Sequence, residues 1–355
     1  MWQVVTAYRP GRCLAGLAAT ILVAATPASA QETYELSGEA AVWNLAGTVS
    51  VTGGGSTLAV EVRRGGADGS QLEVATGAVD LDQDGVGRVD ALRVLYPGDE
   101  IAYEGGGTEL RVRDDGTFYR GHERGRKVKI HQDGGGLDAH ANLDIRVPDG
   151  RTLRIYLAAG EVVVSNVDGD LLVSSGSADI RSSETSGELV LDTGSGDVMV
   201  ENARGDLSAD TGSGDVVARG VSGGYLMVDT GSGDVTGGAI MVGELSVDTG
   251  SGDIGFEGVE TTEFAADTGS GDVEVVFLAN PGEVSVDTGS GDVTLTFPSS
   301  WQSRVELDTS SGEIHSEFQM TVEEMDDDYV RGRIGSGGGS LEVDTGSGDI
   351  RLNQG

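Results

Sequence analysis

The sequence predicts an all-β chain folded as a parallel β-solenoid (β-helix-like) of about 19-residue coils, preceded by a less regular β-rich part. Three observations carry that prediction. A corner motif recurs at near-constant spacing, apolar columns alternate with period two on both sides of it, and 59 glycines against six prolines supply many turns.

The corner reads DTGSGD followed by Val or Ile. It starts at Asp192, Asp210, Asp229, Asp248, Asp267 and Asp287, varies as DTSSGEI at Asp308, and closes with a copy at Asp344. A weaker copy, SSGSADI, starts at Ser174. Successive spacings are 18, 19, 19, 19, 20, 21 and 36, the last predicting two turns of 18. Before the corner, Leu189, Leu207, Leu226, Leu245, Phe264, Val284, Val305 and Leu341 form one apolar column. A second runs Leu191, Ala209, Val228, Val247, Ala266, Val286, Leu307 and Val343, and mixed residues stand between the two. After the corner, Val198, Val216, Val235, Ile254, Val273, Val293, Ile314 and Ile350 resume the alternation. Period two marks strands with one buried face, so parity turns both aspartate columns outward. The corner glycines are expected to serve positive φ and close coil-to-coil approach. Repeats of fixed length with two short strands each predict coils stacked by parallel pairing, with like residues about 4.8 Å apart. Antiparallel hairpins could use the same corner, yet they give no reason for a period near 19 or for aligned threonines.

Taken from its start, the chain divides into a signal peptide (1–30), an irregular β-rich region or solenoid cap (31–160) and the regular solenoid (161–355). Arg9 and Arg12 precede an apolar run from Leu14 to Ala25, and Ala28-Ser29-Ala30 offers a cleavage site before Gln31. That run is short for a membrane span, and nothing later approaches about 18 consecutive apolar residues. The expected destination is the periplasm, the cell surface or the medium. Cys13 is the only cysteine, so the mature chain has no disulfide, thiolate nucleophile or Cys-bound metal. Between 31 and 160, segments such as AAVWNLAGTVSVTGG, STLAVEVRRGG and LDIRVPDGRTLRIYLAAGEVVVSNV read as strands broken by glycine turns. Near the end, EEMDDDY (323–329) falls where a regular corner is missing and reads as a bulged loop.

The chain carries a net charge of −36; without Arg9 and Arg12 it has 21 basic against 59 acidic residues, or −38. Such a field repels nucleic acid and anionic lipid and attracts cations. One segment inverts it: Arg111, Arg113, Arg120, Arg124, Arg126, Lys127 and Lys129 stand against Asp114, Asp115 and Glu123. It reads as a solvated hairpin or as a site for an acidic partner.

These residues resemble a bacterial family of exported adhesin-like proteins built on a domain of unknown function with repeated T-x-S-G-D-[VI] coils. The copies of DTGSGD[VI] from Asp192 to Ile350 carry the resemblance, with NVDGDLLVSSGSADI before them and IGSGGGSLEVDTGSGDIRL closing. The resemblance implies an exported β-solenoid and brings no catalytic residue.

The repeated residues bear on four chemistries. The Asp-Thr-Gly-Ser letters occur in aspartic proteases, but those need two turns on separate lobes whose carboxylates share a proton. Eight copies about 19 residues apart leave no room for lobes. A β-helix polysaccharide-active enzyme needs long loops forming a groove with paired carboxylates, and connections between 174 and 320 are short and uniform. His122, His131 and His140 lack a metal-like motif. The third is a calcium ladder: Asp192, Asp197, Asp210, Asp215, Asp229, Asp234, Asp248, Asp253, Asp267, Asp272, Asp287 and Asp292 repeat in two columns. Like charges about 4.8 Å apart repel by roughly 0.9 kcal/mol at the dielectric of water, and a hard cation taking six to eight oxygens offsets that. In the bland alternative each Asp accepts hydrogen bonds from the Thr or Ser hydroxyls or from turn amides. The fourth is a non-enzymatic adhesin-like or structural role through exposed β faces, toward a surface, a glycan or a protein, with no cofactor.

Overall fold

The computed structural model describes residues 32–81, 87–105, 107–118, 124–132 and 135–355. The predicted signal peptide, and Arg120, His122 and Glu123 of the basic segment, lie outside the described residues. Within them the chain is all-β: one 25-stranded sheet, one three-stranded sheet and a single 3-10 turn at Gly69–Gln71.

The apolar columns become strands whose inward positions are almost wholly buried. Leu189–Thr193 and Leu207–Thr211 pair in parallel with Leu189 against Leu207 and Asp192 against Asp210. The same register carries Asp210 onto Asp229, Asp229 onto Asp248, Asp248 onto Asp267 and Asp267 onto Asp287. Beyond the corner a second ladder stacks Val198, Val216, Val235, Ile254, Val273 and Val293 in the same order. Like residues therefore sit over like residues, and the stack is a parallel β-solenoid. Between the two ladders lies one continuous core of Leu, Val, Ile and Phe.

Three local devices keep the rungs at β spacing. At the corner, a Cβ on Gly214, Gly233, Gly252 or Gly271 would overlap the carbonyl oxygen of the equivalent residue one rung below. These glycines serve close approach alone, because none of them takes positive φ, which corrects half of the expectation. The left-handed residues form a column on the return side instead: Asn166, Glu184, Asn202, Gly220, Ala239 and Gly258, with φ between 52° and 75°. Inside, volume is conserved between rungs: Gly237 leaves the space that the Phe256 ring fills. Toward the last rungs, Phe277, Phe297 and Trp301 stack almost parallel, with centroids 4.9 and 3.8 Å apart.

At both ends the order of rungs departs from the order of sequence. Ala40–Gly53 lies between Leu153–Ser165 on one side and Arg88–Leu95 with His140–Val147 on the other. Trp43 stacks on Tyr156 at 4.6 Å across that junction, and a buried Tyr96 hydroxyl donates to Asn44 Oδ1 at 2.8 Å. At the other end, Gly339–Thr345 inserts between Glu283–Thr288 and Ser303–Thr309, with Asp344 against both Asp287 and Asp308. Ile350–Gln354 inserts likewise between Val293–Phe297 and Ile314–Ser316. The spacing of 36 is therefore not two successive turns. The intervening chain forms an antiparallel hairpin, Met320–Met325 with Tyr329–Ile334, that pairs onto Ser303–Thr309 from the outside. In the acidic EEMDDDY segment the three aspartates 326–328 form the turn of that hairpin, as the expected loop, while Glu323 to Met325 and Tyr329 belong to its strands, with a register shift between Val322 and Glu324.

Candidate functional site: the corner columns

Three columns meet at the DTGSGD corner, and their chemistry differs. The threonines are buried: Thr193, Thr211, Thr230, Thr249, Thr268, Thr288, Thr309 and Thr345 are each at most 1% exposed. Each hydroxyl donates to a glycine or alanine carbonyl of a neighbouring rung, as Thr249 does to Gly233 at 3.0 Å. The same oxygen accepts the amide of the second corner glycine of its own rung, Gly252 in that case, at 3.1 Å. Thr rather than Ser or Val fits because the buried position needs a donor and acceptor with an apolar flank.

The second aspartate of each corner is also structural. Asp197 N–H donates to Asp179 Oδ1, and the pattern repeats for Asp215, Asp234, Asp253, Asp272, Asp292 and Asp349, at 2.8 to 3.2 Å. Glu313 closes the ladder onto Asp349 at 2.9 Å. One carboxylate oxygen per rung is thus committed to the amide of the next. Hydrogen bonding from the Asp349 amide, then Arg351, holds the Asp292 carboxyl below its ordinary range. Of the three donors the sequence offered, turn amides supply this ladder, and the threonines bond elsewhere.

The first aspartate column has no such committed amide donors. Asp192, Asp210, Asp229, Asp248, Asp267, Asp287, Asp344 and Asp308 stand exposed in that spatial order. Partial burial, then the charge of the neighbours above and below, pushes Asp229, Asp267 and Asp344 up. Asp192 moves up for the same reasons, with the Ser174 hydroxyl opposing at 3.4 Å. Among the described residues, no three His, Cys, Asp or Glu side chains converge on a point that could hold a metal ion.

In the basic segment several charges find partners nearby. Lys127 lies 2.6 Å from Glu109, Arg126 pairs with Asp99, and Arg111 donates to the Gly125 carbonyl at 3.1 Å. His131 ends one strand of the small sheet, and His140 packs against the Tyr103 ring at 5.7 Å. A shallow cleft of about 260 Å³ near the last rungs is lined by Arg304, Arg331 and Arg333 among Glu283, Glu306 and Glu342. Sequence reasoning missed it, because its wall comes from the hairpin that folds back onto Ser303–Thr309.

Among the described residues no helix is long and apolar enough to cross a membrane. No protein of curated function matches this chain. A crystal structure from Clostridium sporogenes, named a "putative cell adhesion protein", aligns over 92% of this chain and 99% of its own. The identity is 11% and the TM-score 0.20, a likeness too loose to carry a structural argument. The sequence model of the Toastrack family, a domain of unknown function (DUF4097), matches residues 123–353. That match spans well over half of the sequence and takes in every copy of the corner, so the chain belongs to the Toastrack DUF4097 family.

Proposed function

We propose that the protein is a non-enzymatic, exported repeat protein with an adhesive or structural role at the cell envelope, acting through its exposed β faces. The observation that supports this reading most is the in-register stack itself. It lays outward positions along straight lines for many rungs, with Asp over Asp at the corner, as suits contact with an extended or repetitive partner. The corner motif, the most repeated chemistry in the chain, is spent on holding rungs together through the Thr and second Asp ladders. Each rung of about 19 residues is read as one lap of the coil, and the leader at 1–30 as the export signal. Fractionation of cells, with protease shaving of intact cells, tests the role. Protection of the whole pool from external protease would remove surface adhesion.

A calcium-binding solenoid is a second reading, and the first aspartate column favours it over the second. Its carboxylates face solvent, stack in register and are free of the committed amide bonds. Calorimetric titration with thermal melts decides it: absence of heat and an unmoved melting point in millimolar calcium would exclude it.

A further inference from the structure

Across the last rungs one outward row changes the sign of its charge at a single serine. In register from strand to strand it runs Glu244, Glu263, Glu283, Ser340, Arg304 and Arg333, all but Ser340 exposed. Ser340 stands in the row because the last rung is inserted. The corner register that sets Asp287 and Asp308 on either side of Asp344 would otherwise lay Glu283 directly beside Arg304. The inserted strand parts the two by a second strand spacing, to about 9.6 Å between Cα atoms, and puts a short side chain in the interval. The gap is the cleft of about 260 Å³ that Glu283, Ser340, Arg304 and Arg333 help to line.

The two charges that flank the serine lack counter-charges. Among the described residues neither Glu283 nor Arg304 enters an ion pair, whereas Arg333 is held by Glu323 at 3.1 Å. Each also has a like charge behind it, Glu263 beside Glu283 and Arg333 beside Arg304, and like charges in facing positions repel. Side chains stand roughly perpendicular to a sheet, so the carboxylate and the guanidinium face each other across Ser340. A charge-assisted hydrogen bond of about 2.8 Å on each side leaves about 4 Å between the charged groups of a ligand. That is the separation within one amino acid, and each further residue of an extended peptide adds about 3.3–3.6 Å.

We propose that the cleft binds a small zwitterion of the free α-amino acid class, with its carboxylate on Arg304 and its ammonium on Glu283. Such a ligand satisfies both charges at once. Being neutral overall, it is not opposed by the net charge of −36 that repels simple anions. The site does not depend on where the protein resides, so it can fail without touching the adhesive role, and the reverse.

Calorimetric titration and ligand-observed NMR on the folded protein, with glycine, L-serine, L-glutamate and L-lysine as probes, test the site. At least one of the four is expected to bind. Its N-acetyl and amide derivatives, each lacking one of the two charges, should bind about tenfold more weakly or worse. Arg304→Gln and Glu283→Gln should each weaken the free amino acid by a similar factor, with melting temperatures close to wild type. No binding by any of the four overturns the proposal. So does an amide or N-acetyl derivative that binds as tightly as the free amino acid, or full affinity in either variant. The comparison of derivatives needs only the wild-type chain, so it decides even where a variant fails to fold.

Discussion

Thr249 shows at the scale of one residue how the corner holds. Its buried hydroxyl donates to the Gly233 carbonyl at 3.0 Å and accepts from the Gly252 amide at 3.1 Å, so one side chain ties a rung to its neighbour and closes its own turn. Thr249→Val keeps the shape and removes both bonds, leaving a buried carbonyl and a buried amide unmatched. Groups left in that state cost about 1–3 kcal/mol, while a hydroxyl that keeps its partners costs little. Thr249→Val is therefore expected to lower the urea midpoint clearly, and Thr249→Ser to lower it much less. Equal midpoints for wild type and Thr249→Val would show that the hydroxyl ladder does not carry stability. The threonine column was visible in the sequence, but its partners were not. A carbonyl of a neighbouring rung is 15 to 17 residues away in the regular part, and only the register brings it within reach.

At the scale of the element, the corner glycines and the outward glycines behave oppositely. A Cβ on Gly252 would overlap the Gly233 carbonyl oxygen, so Gly252→Ala must push two rungs apart; overpacking of that kind costs about 1–3 kcal/mol and more where backbone must move. Gly255, two residues after Asp253 and facing outward, meets only the Thr236 methyl at 3.8 Å, so Gly255→Ala should fold with wild-type stability. Chemical denaturation of the two variants checks the contrast, and an equally stable Gly252→Ala would refute the close-approach role. Strands such as Leu207–Thr211 were legible because period two recurs in register across eight copies, which single strands rarely permit. The left-handed column was not legible: Asn166, Glu184, Asn202, Gly220, Ala239 and Gly258 share a backbone conformation and no side-chain chemistry. The inserted rung was hidden for a different reason. Asp344 pairs with Asp287 and Asp308 through the same corner letters that pair every other rung, so the sequence contains no mark of spatial order.

At the scale of the whole molecule, carboxyls that folding raises and carboxyls that it lowers pull the pH dependence of stability in opposite directions. Asp192, Asp229, Asp267 and Asp344 have carboxyls raised in the folded state by partial burial and by neighbouring charge. Their ionisation opposes folding, and the cost is relieved as pH falls through the raised values toward the ordinary range near 4. Asp292, lowered by the Asp349 amide and Arg351, contributes stability above its unfolded value and loses it as pH falls below about 4. Glu32 and Glu109 behave in the same way, lowered chiefly by hydrogen bonds from Arg64 and Lys127. A net charge of −36 adds repulsion that protonation also reduces. The melting temperature is therefore expected to rise as pH falls from neutral toward the ordinary carboxylate range near 4, pass through a maximum, and fall at lower pH as the lowered carboxyls protonate. Added salt at pH 7 should raise it too, because the first column is exposed and screened. Asp229→Asn with Asp267→Asn should flatten that rise while leaving the acid limb in place. A melting temperature that only falls as pH is lowered from neutral would mean that the stacked carboxylates impose no strain on the solenoid.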